Sequence, residues 1–290
     1  MISIIANILD GRALSGNIMD EIAIKLSALK DSKGIVPGLA VVLVGDDAAS
    51  QVYVRNKQKA CKRVGIESYV ENFENDVSES YLLEFISKLN SDIHINGILV
   101  QLPLPSHINP ESVINAISPS KDVDGFHPLN AGRLLRGELC FEPCTPKGIL
   151  RLVEHSGVEI AGKNVCVIGR SNIVGKPVAL MFLKHNATVT VCHSKTNDLA
   201  RIASGADILV VAAGKPNIID DRFIKEGAVV IDVGINRTSK GLTGDVDFDK
   251  AICKAGWITP VPGGVGPMTI AMLLENTLIA TQLKESGYEL

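Results

Sequence analysis

The stretch Val165-Cys-Val-Ile-Gly-Arg-Ser-Asn-Ile-Val-Gly175 decides the fold class of this 290-residue chain. Four apolar residues run into a glycine, and Val174 to His185 then read as a helix. Strand, tight turn and helix in succession are the setting in which a βα turn holds a phosphate. The spacing departs from G-x-G-x-x-G: Gly169 and Gly175 are present, but Arg170 and Ser171 fill the turn between them. On spacing alone those two residues read equally well as solvated loop.

Outward from this turn the same alternation continues. Asn164 to Gly169 and Thr188 to Cys192 are predicted strands, as are Asp207 to Ala212 and Ala228 to Val233. Lys147 to His155 is a predicted helix, with Thr145 as its N-cap and Pro146 at its first position. A similar series comes earlier. Gly38 to Gly45 is a strand, Ala49 to Val64 a helix stopped by Gly65, Ile66 to Asn72 a strand, Ser78 to Asn90 a helix and Gly97 to Gln101 a strand. Continuous apolar runs of this kind are buried parallel strands, and their alternation with helices means α/β. Pro103 to Pro146 is rich in proline and polar residues and is read as the region of the domain boundary.

Composition narrows the function classes. The chain is 46% hydrophobic and 21% charged, close to the globular average, with a net charge of −3 and no block of like charge. That gives no footing for nucleic acid or an anionic membrane, and 4% aromatic residues make a base-stacking surface unexpected. The six cysteines include no C-x-x-C pair, and Cys140 and Cys144 have no second Cys/His pair to complete a metal site. Cys166 and Cys192 lie in apolar runs as buried thiols, as in a reducing compartment. Met1 to Leu9 is apolar but too short to span a membrane, and no basic residue precedes it as in a secretory signal. A cytoplasmic enzyme, or a mature organellar one, is expected, with no metal.

The end of the strand after the phosphate turn bears on the cofactor. An NAD site usually places Asp or Glu there, about 20 residues on, for the ribose 2′-OH. Here the residues are Cys192-His193-Ser194-Lys195. A carboxylate would repel a 2′-phosphate, whereas a hydroxyl and cations accept one, so NADP is favoured over NAD. Val210-Val-Ala-Ala-Gly214 and Asp232-Val-Gly-Ile-Asn236 end two further strands and would line the same crevice. Farther on, Pro260-Val-Pro-Gly-Gly-Val-Gly-Pro267 is bare and stiff, and Met268 to Leu283 reads as a helix behind it. Such a turn suits close approach to a planar or anionic ligand; it also suits a tight structural turn.

In the first series, Tyr53 and Lys57 are four apart on the helix and share a face. Gln101 ends a buried strand in Val100-Gln-Leu-Pro-Leu-Pro105, and Lys121-Asp-Val-Asp-Gly125 puts two carboxylates in a turn. Each has a purely structural reading: a packed aromatic with a solvated lysine, a strand-end amide, an Asx-type turn. Together they supply a flat surface, an amine, an amide and a carboxylate.

These segments together resemble the bifunctional methylenetetrahydrofolate dehydrogenase/methenyltetrahydrofolate cyclohydrolases. The resemblance runs over nearly the whole chain and rests on YVxxK, VQLPLP, KDVDG, PCTPKG, GRSxIVGxP, CHSKT and PVPGGVGPMT. It implies two α/β domains flanking a cleft. Residues 1–145 would bind folate, and residues 146–267 would form a Rossmann-type NADP-binding domain. The helix over 268–290 would pack back toward the first domain. It implies Lys57 as general acid/base, with Gln101 orienting it and helping to keep it neutral. Tyr53 would stack on the aminobenzoate and Asp124 would bind the pterin, with Asp122 structural. Val100, Leu102, Pro262, Gly263, Gly264 and Val265 would also contact the folate. Gly169, Arg170, Ser171, Ser194 and Ile235 would bind NADP, with Arg170 and Ser194 near the 2′-phosphate.

The resemblance further implies tetrahydrofolate one-carbon derivatives as substrates and a homodimer. With Leu290 as the last residue, the synthetase region of larger relatives is not expected. Alternatives are a monofunctional member, a shikimate-type NADP dehydrogenase, and a non-catalytic NADP-binding module in which Tyr53, Lys57, Gln101 and Asp124 need not all occur.

Overall fold

A computed structural model describes residues 5–239 and 241–288. In chain order the elements begin with β1 (Asn7–Ile8), α1 (Gly11–Lys33), β2 (Gly38–Val44), α2 (Ala48–Val64), β3 (Glu67–Phe73), α3 (Glu79–Ser91) and β4 (Gly97–Val100). They continue through α4 (Pro110–Ala116), α5 (Pro128–Arg136), α6 (Cys144–His155), β5 (Asn164–Ile168), α7 (Gly175–Lys184), β6 (Thr188–Cys192) and α8 (Leu199–Ala203). The last are β7 (Ile208–Val211), β8 (Val229–Asp232), β9 (Asn236–Thr238), β10 (Gly241–Thr243), α9 (Phe248–Ala251), β11 (Trp257–Ile258) and α10 (Val265–Glu285). The chain forms two compact units: Gly16–Cys144 with Ile270–Leu290, and the stretch up to Ser15 with Thr145–Thr269.

The first unit is built on a parallel sheet in the order β3-β2-β4. All seven residues of β2 are buried, as a central strand covered on both faces requires, while β3 at the edge is largely exposed. Buried Val42, Leu82, Ile86, Ile98 and Val113 pack together on one face of this sheet. The proline-rich region holds two helices. Pro110 and Pro128 each open one, behind side-chain caps from Asn109 and His127. A proline whose missing N–H would have had no partner in a first turn starts a helix as readily as it interrupts one.

The second unit holds a six-stranded parallel sheet, β1-β11-β8-β7-β5-β6, and the antiparallel pair β9-β10. Its strand order reverses beside β5, where β6 lies on one side and β7 on the other. The crevice at such a switch point is where open α/β sheets bind ligands.

Several expectations are corrected. The start of the chain does not stand with the residues that follow Ser15: β1 pairs with β11, and the Arg12 N–H donates to the Gly263 carbonyl at 3.1 Å. Helix α6 begins at Cys144, so Thr145 and Pro146 lie inside its first turn, and the Thr145 hydroxyl meets that of Thr269 at 3.0 Å. Likewise α10 begins at Val265, two residues before Pro267, which is tolerated there because first-turn N–H groups have no intrahelical acceptor. The expectation for the first four residues lies outside the described residues.

Candidate active site

The buried stripe of α2 runs through Ser50, Val54, Lys57, Cys61 and Val64, the period of a helix face turned to a core. Lys57 occupies a position that a hydrophobic residue would ordinarily take and is only 8% exposed. Its ammonium nitrogen donates to Gln101 Oε1 at 3.0 Å. The amide nitrogen of Gln101 donates to the Leu102 carbonyl at 2.7 Å, and its backbone N–H to the Val42 carbonyl at 2.8 Å. The amide contact turns the Gln101 oxygen toward Lys57. Burial holds the Lys57 pKa below its ordinary value, and the Asp124 charge opposes this. Burial is thus what favours loss of the Lys57 proton. The Gln101 oxygen that faces Nζ is an acceptor, and such a contact favours the ammonium over the neutral amine. Tyr53 stands one turn earlier on α2 and is 39% exposed.

The KDVDG segment lies along β4. The Ile98 N–H donates to the Lys121 carbonyl at 2.8 Å, and the Val123 methyls fill the space over Gly97, where a Cβ would stand 2.8 Å from them. Asp122 is buried, and its two oxygens accept from the backbone of Phe126 and His127 and from Asn130 Nδ2 at 2.8–3.1 Å. Burial nevertheless pushes its pKa up to about 7. Asp124, two residues on, is also pushed up by burial, while Lys57 and then the Cys144 thiol draw it down. The structure thus brings buried Lys57 together with half-buried Gln101 and Asp124 in one cluster.

In the other unit, the turn after β5 is closed by glycine. A Cβ on Gly169 would stand 2.3 Å from the Ala212 carbonyl oxygen, and one on Gly175 would stand 2.3 Å from the Gly169 carbonyl oxygen. The first glycine lets the β5 and β7 ends meet at the switch point; the second lets α7 start against the turn. The Ser171 hydroxyl accepts from the N–H groups of Val174 and Gly175 at 3.2 and 3.3 Å. Arg170, Ser194 and Lys195 are exposed on the turns that follow the paired strands β5 and β6. The Gly169 N–H donates to the Cys192 carbonyl at 2.9 Å, which fixes these turns side by side. His193 orders its own turn, its Nδ1 accepting from the Lys195 N–H at 3.2 Å. A glycine cradle beside exposed cations and hydroxyls fits a dinucleotide carrying a 2′-phosphate.

The Pro260–Pro267 turn belongs to this unit. Its closest approach is to the chain itself: a Cβ on Gly11 would stand 1.8 Å from the Gly264 carbonyl oxygen. Gly263, Gly264 and Val265 are buried by protein, whereas Pro262 is exposed. Ile235, 48% exposed, lies beside Gly266, its Cδ1 3.9 Å from where a Cβ would be.

The profile "Tetrahydrofolate dehydrogenase/cyclohydrolase, catalytic domain" matches residues 9–124, and its NAD(P)-binding counterpart matches residues 143–285. The chain belongs to the tetrahydrofolate dehydrogenase/cyclohydrolase family. It is 58% identical to the bifunctional protein FolD of Moorella thermoacetica over 96% of this chain and 99% of that one. The crystal structure of the bifunctional FolD enzyme from Campylobacter jejuni superposes with a TM-score of 0.94 at 50% identity, covering 96% and 99% of the two chains. The Trypanosoma brucei FolD, whose structure holds NADP and an inhibitor, gives 0.92 at 41% identity over 97% and 99%. Shikimate 5-dehydrogenase from Thermus thermophilus shares the fold alone, with a TM-score of 0.50 at 16% identity over 84% and 99%.

Beyond the residues read from sequence, the buried cluster of the first unit contains Cys144 and Asn276. Asn276, buried on α10, donates through Nδ2 to the carbonyls of Val123 at 2.9 Å and Glu142 at 3.0 Å. It thereby ties the KDVDG turn to the last helix. The Cys144 thiol donates to the Val123 carbonyl at 3.2 Å. The readable signal for this centre was Lys57 itself, a charge in the buried stripe of a helix; the Asn276 contact spans 153 residues of chain and leaves no local pattern. Among the described residues there is no group of three or more metal-ligating side chains and no helix long and apolar enough to cross a membrane.

Proposed function

We propose that this chain oxidises 5,10-methylenetetrahydrofolate to 5,10-methenyltetrahydrofolate with NADP, and hydrolyses that product to 10-formyltetrahydrofolate. The carrying observation is the buried Lys57 amine, held by Gln101 and flanked by Asp124. The first unit carries the folate chemistry and the second the nucleotide.

The substrate presents an exocyclic amine and an adjacent ring N–H. The Asp124 carboxylate accepts both, a two-donor contact stronger than a neutral one. Tyr53 offers its exposed ring to the aminobenzoate, and Val100 and Leu102 add folate contacts; of the four residues expected from the Pro260–Pro267 turn, only Pro262 is exposed to meet a ligand. Gly169, Arg170, Ser171, Ser194 and Ile235 hold NADP, which supplies the hydride acceptor when bound. Loss of hydride leaves a methenyl carbon whose positive charge is shared by two nitrogens.

For the hydrolysis, Lys57 takes a proton from the water that adds to this carbon and returns one to the departing ring nitrogen. The cationic substrate beside it further disfavours the ammonium, so the amine is available as a base. The enzyme acts as a homodimer in the cytoplasm, a reading supported by the family resemblance.

A spectroscopic assay with 5,10-methylenetetrahydrofolate, run with NADP and with NAD, tests the proposal. Cofactor reduction and 10-formyl product without methenyl build-up beyond the uncatalysed control is expected, with NADP the better acceptor. No reduction with either cofactor would overturn the dehydrogenase reading; methenyl accumulation with 10-formyl product forming no faster than by uncatalysed hydrolysis would overturn the cyclohydrolase reading.

A further inference from the structure

The second unit contains a pair of buried carboxylates that the proposed chemistry does not use. Asp245, with no exposed surface, accepts four hydrogen bonds. Its Oδ2 takes the N–H groups of Ala213 at 2.7 Å and Gly214 at 2.8 Å; its Oδ1 takes the N–H of Lys215 at 3.0 Å and Asn236 Nδ2 at 2.8 Å. Asp232, at the end of β8, holds Asp245 in place. Its Oδ1 accepts from the N–H groups of Gly234 and Asp245, and its Oδ2 from that of Val246, each at 2.9 Å. Every one of these donors is neutral. Glycines make the room: a Cβ on Gly234 would stand 2.3 Å from Asp245 Oδ1, and one on Gly244 would stand 1.8 Å from Asp232 Oδ2.

Burying two like charges without a cation is costly, so a fold that does so gains something local in return. Burial and then the Asp245 charge push Asp232 up to about 6. What the pair fixes is specific. Ala213 to Lys215 is the turn after β7, directly beyond the Ala212 carbonyl on which Gly169 packs. Gly234 to Asn236 is the turn after β8, and it carries exposed Ile235. Both turns follow parallel strands and so lie at the same edge of the sheet as the turn after β5.

We infer that Asp232 and Asp245 form a two-carboxylate brace that sets the β7 and β8 turns for the dinucleotide, with Asp245 a positioning residue for NADP binding. This rests on the proposed NADP reading. Asp245→Asn replaces one acceptor oxygen with a donor and leaves at least one of the backbone N–H groups unmatched. Asn236→Ala removes a single donor and is the milder variant.

The test is titration of wild-type and variant chains with NADP, together with KM for NADP and kcat at saturating NADP. Hydrolysis of the methenyl compound without NADP, whose general base Lys57 lies in the other unit, and thermal melting serve as folding controls. A loss of NADP affinity of about tenfold in Asp245→Asn and about threefold in Asn236→Ala is expected, carried by KM rather than by kcat. Affinity within about twofold of wild type in folded Asp245→Asn overturns the inference. Should that variant not fold, unchanged affinity in Asn236→Ala overturns it equally. A wild-type chain that does not bind NADP would instead sink the nucleotide reading beneath it.

Discussion

Each unit ends a strand or turn with a pair of aspartates, and the two pairs are used differently. In the six-stranded unit both carboxylates are occupied by backbone N–H groups: Asp232 accepts three and Asp245 three more with an amide. In the three-stranded unit the labour is divided. Asp122 spends its oxygens on Phe126, His127 and Asn130, bracing the turn from within. Asp124 is left under the influence of Lys57 and the Cys144 thiol. A carboxylate saturated by backbone donors is scaffold, because moving it breaks several hydrogen bonds together. A carboxylate balanced against a buried amine can exchange that partner for a substrate. Burial alone does not separate the two cases, since all four groups are largely shielded; the identity of their partners does.

The largest effect that would sharpen this contrast is at the amine. Lys57→Ala should reduce methenyl hydrolysis by roughly 10²–10⁴-fold, the usual contribution of a general acid/base. NADP affinity, measured by titration, should be unchanged. Unimpaired hydrolysis would remove Lys57 from the mechanism and with it the distinction drawn for Asp124. Next in size, Asp124→Asn should lower kcat/KM for the folate substrate about 10- to 100-fold, as expected for losing a charge-assisted pair of hydrogen bonds. Its melting temperature should fall less than that of Asp122→Ala, which strips three donors of their acceptor. The reverse ranking would interchange the roles of the two aspartates.

A smaller, pH-dependent effect separates Asp122 further. Its folded pKa of about 7 lies above the ordinary 3.8, so the folded chain holds this proton more tightly than the unfolded one. The stability that the carboxyl contributes is therefore present below about pH 4 and lost as pH rises toward about 7. Asp122→Asn abolishes that loss. Denaturant melts at about pH 4 and pH 7 should show the variant gaining on wild type by about 2 kcal/mol or more at the higher pH. A constant difference across that range would mean that the carboxyl stays ionised throughout.

Much of this arrangement was legible in the sequence where the signal is local. The apolar runs at 38–45 and 164–169 gave strands because a central parallel strand must be apolar on both faces. Gly169 and Gly175 marked the phosphate turn, and the lysine four residues after Tyr53 marked the amine. Helix α1 escaped, its start set by Asp10, whose Oδ1 accepts from the N–H groups of Arg12 and Ala13. Helices α4 and α5 were hidden by prolines that signal a loop or a first helical turn with equal force. The two-residue strands β1 and β11 have no pattern of their own; they exist through the pairing of Asn7 with Trp257 and Ile8 with Ile258, at opposite ends of the sequence. Asn276 and Asp245 were unreadable for the same reason, since their partners are distant backbone groups. The PGGVGP turn was read as bare for a ligand, and part of its bareness serves the packing of Gly11 on Gly264.

The central claim is that burial, opposed by Asp124, sets the protonation of Lys57. Direct titration of the Lys57 amine by nitrogen-15 NMR, in wild type and in Asp124→Asn, tests it most directly. The account predicts a wild-type pKa below 10.5, falling further in Asp124→Asn because a neighbouring negative charge has been removed, and no change in Asp232→Asn. A wild-type value at or above 10.5, or a rise in Asp124→Asn, would contradict it.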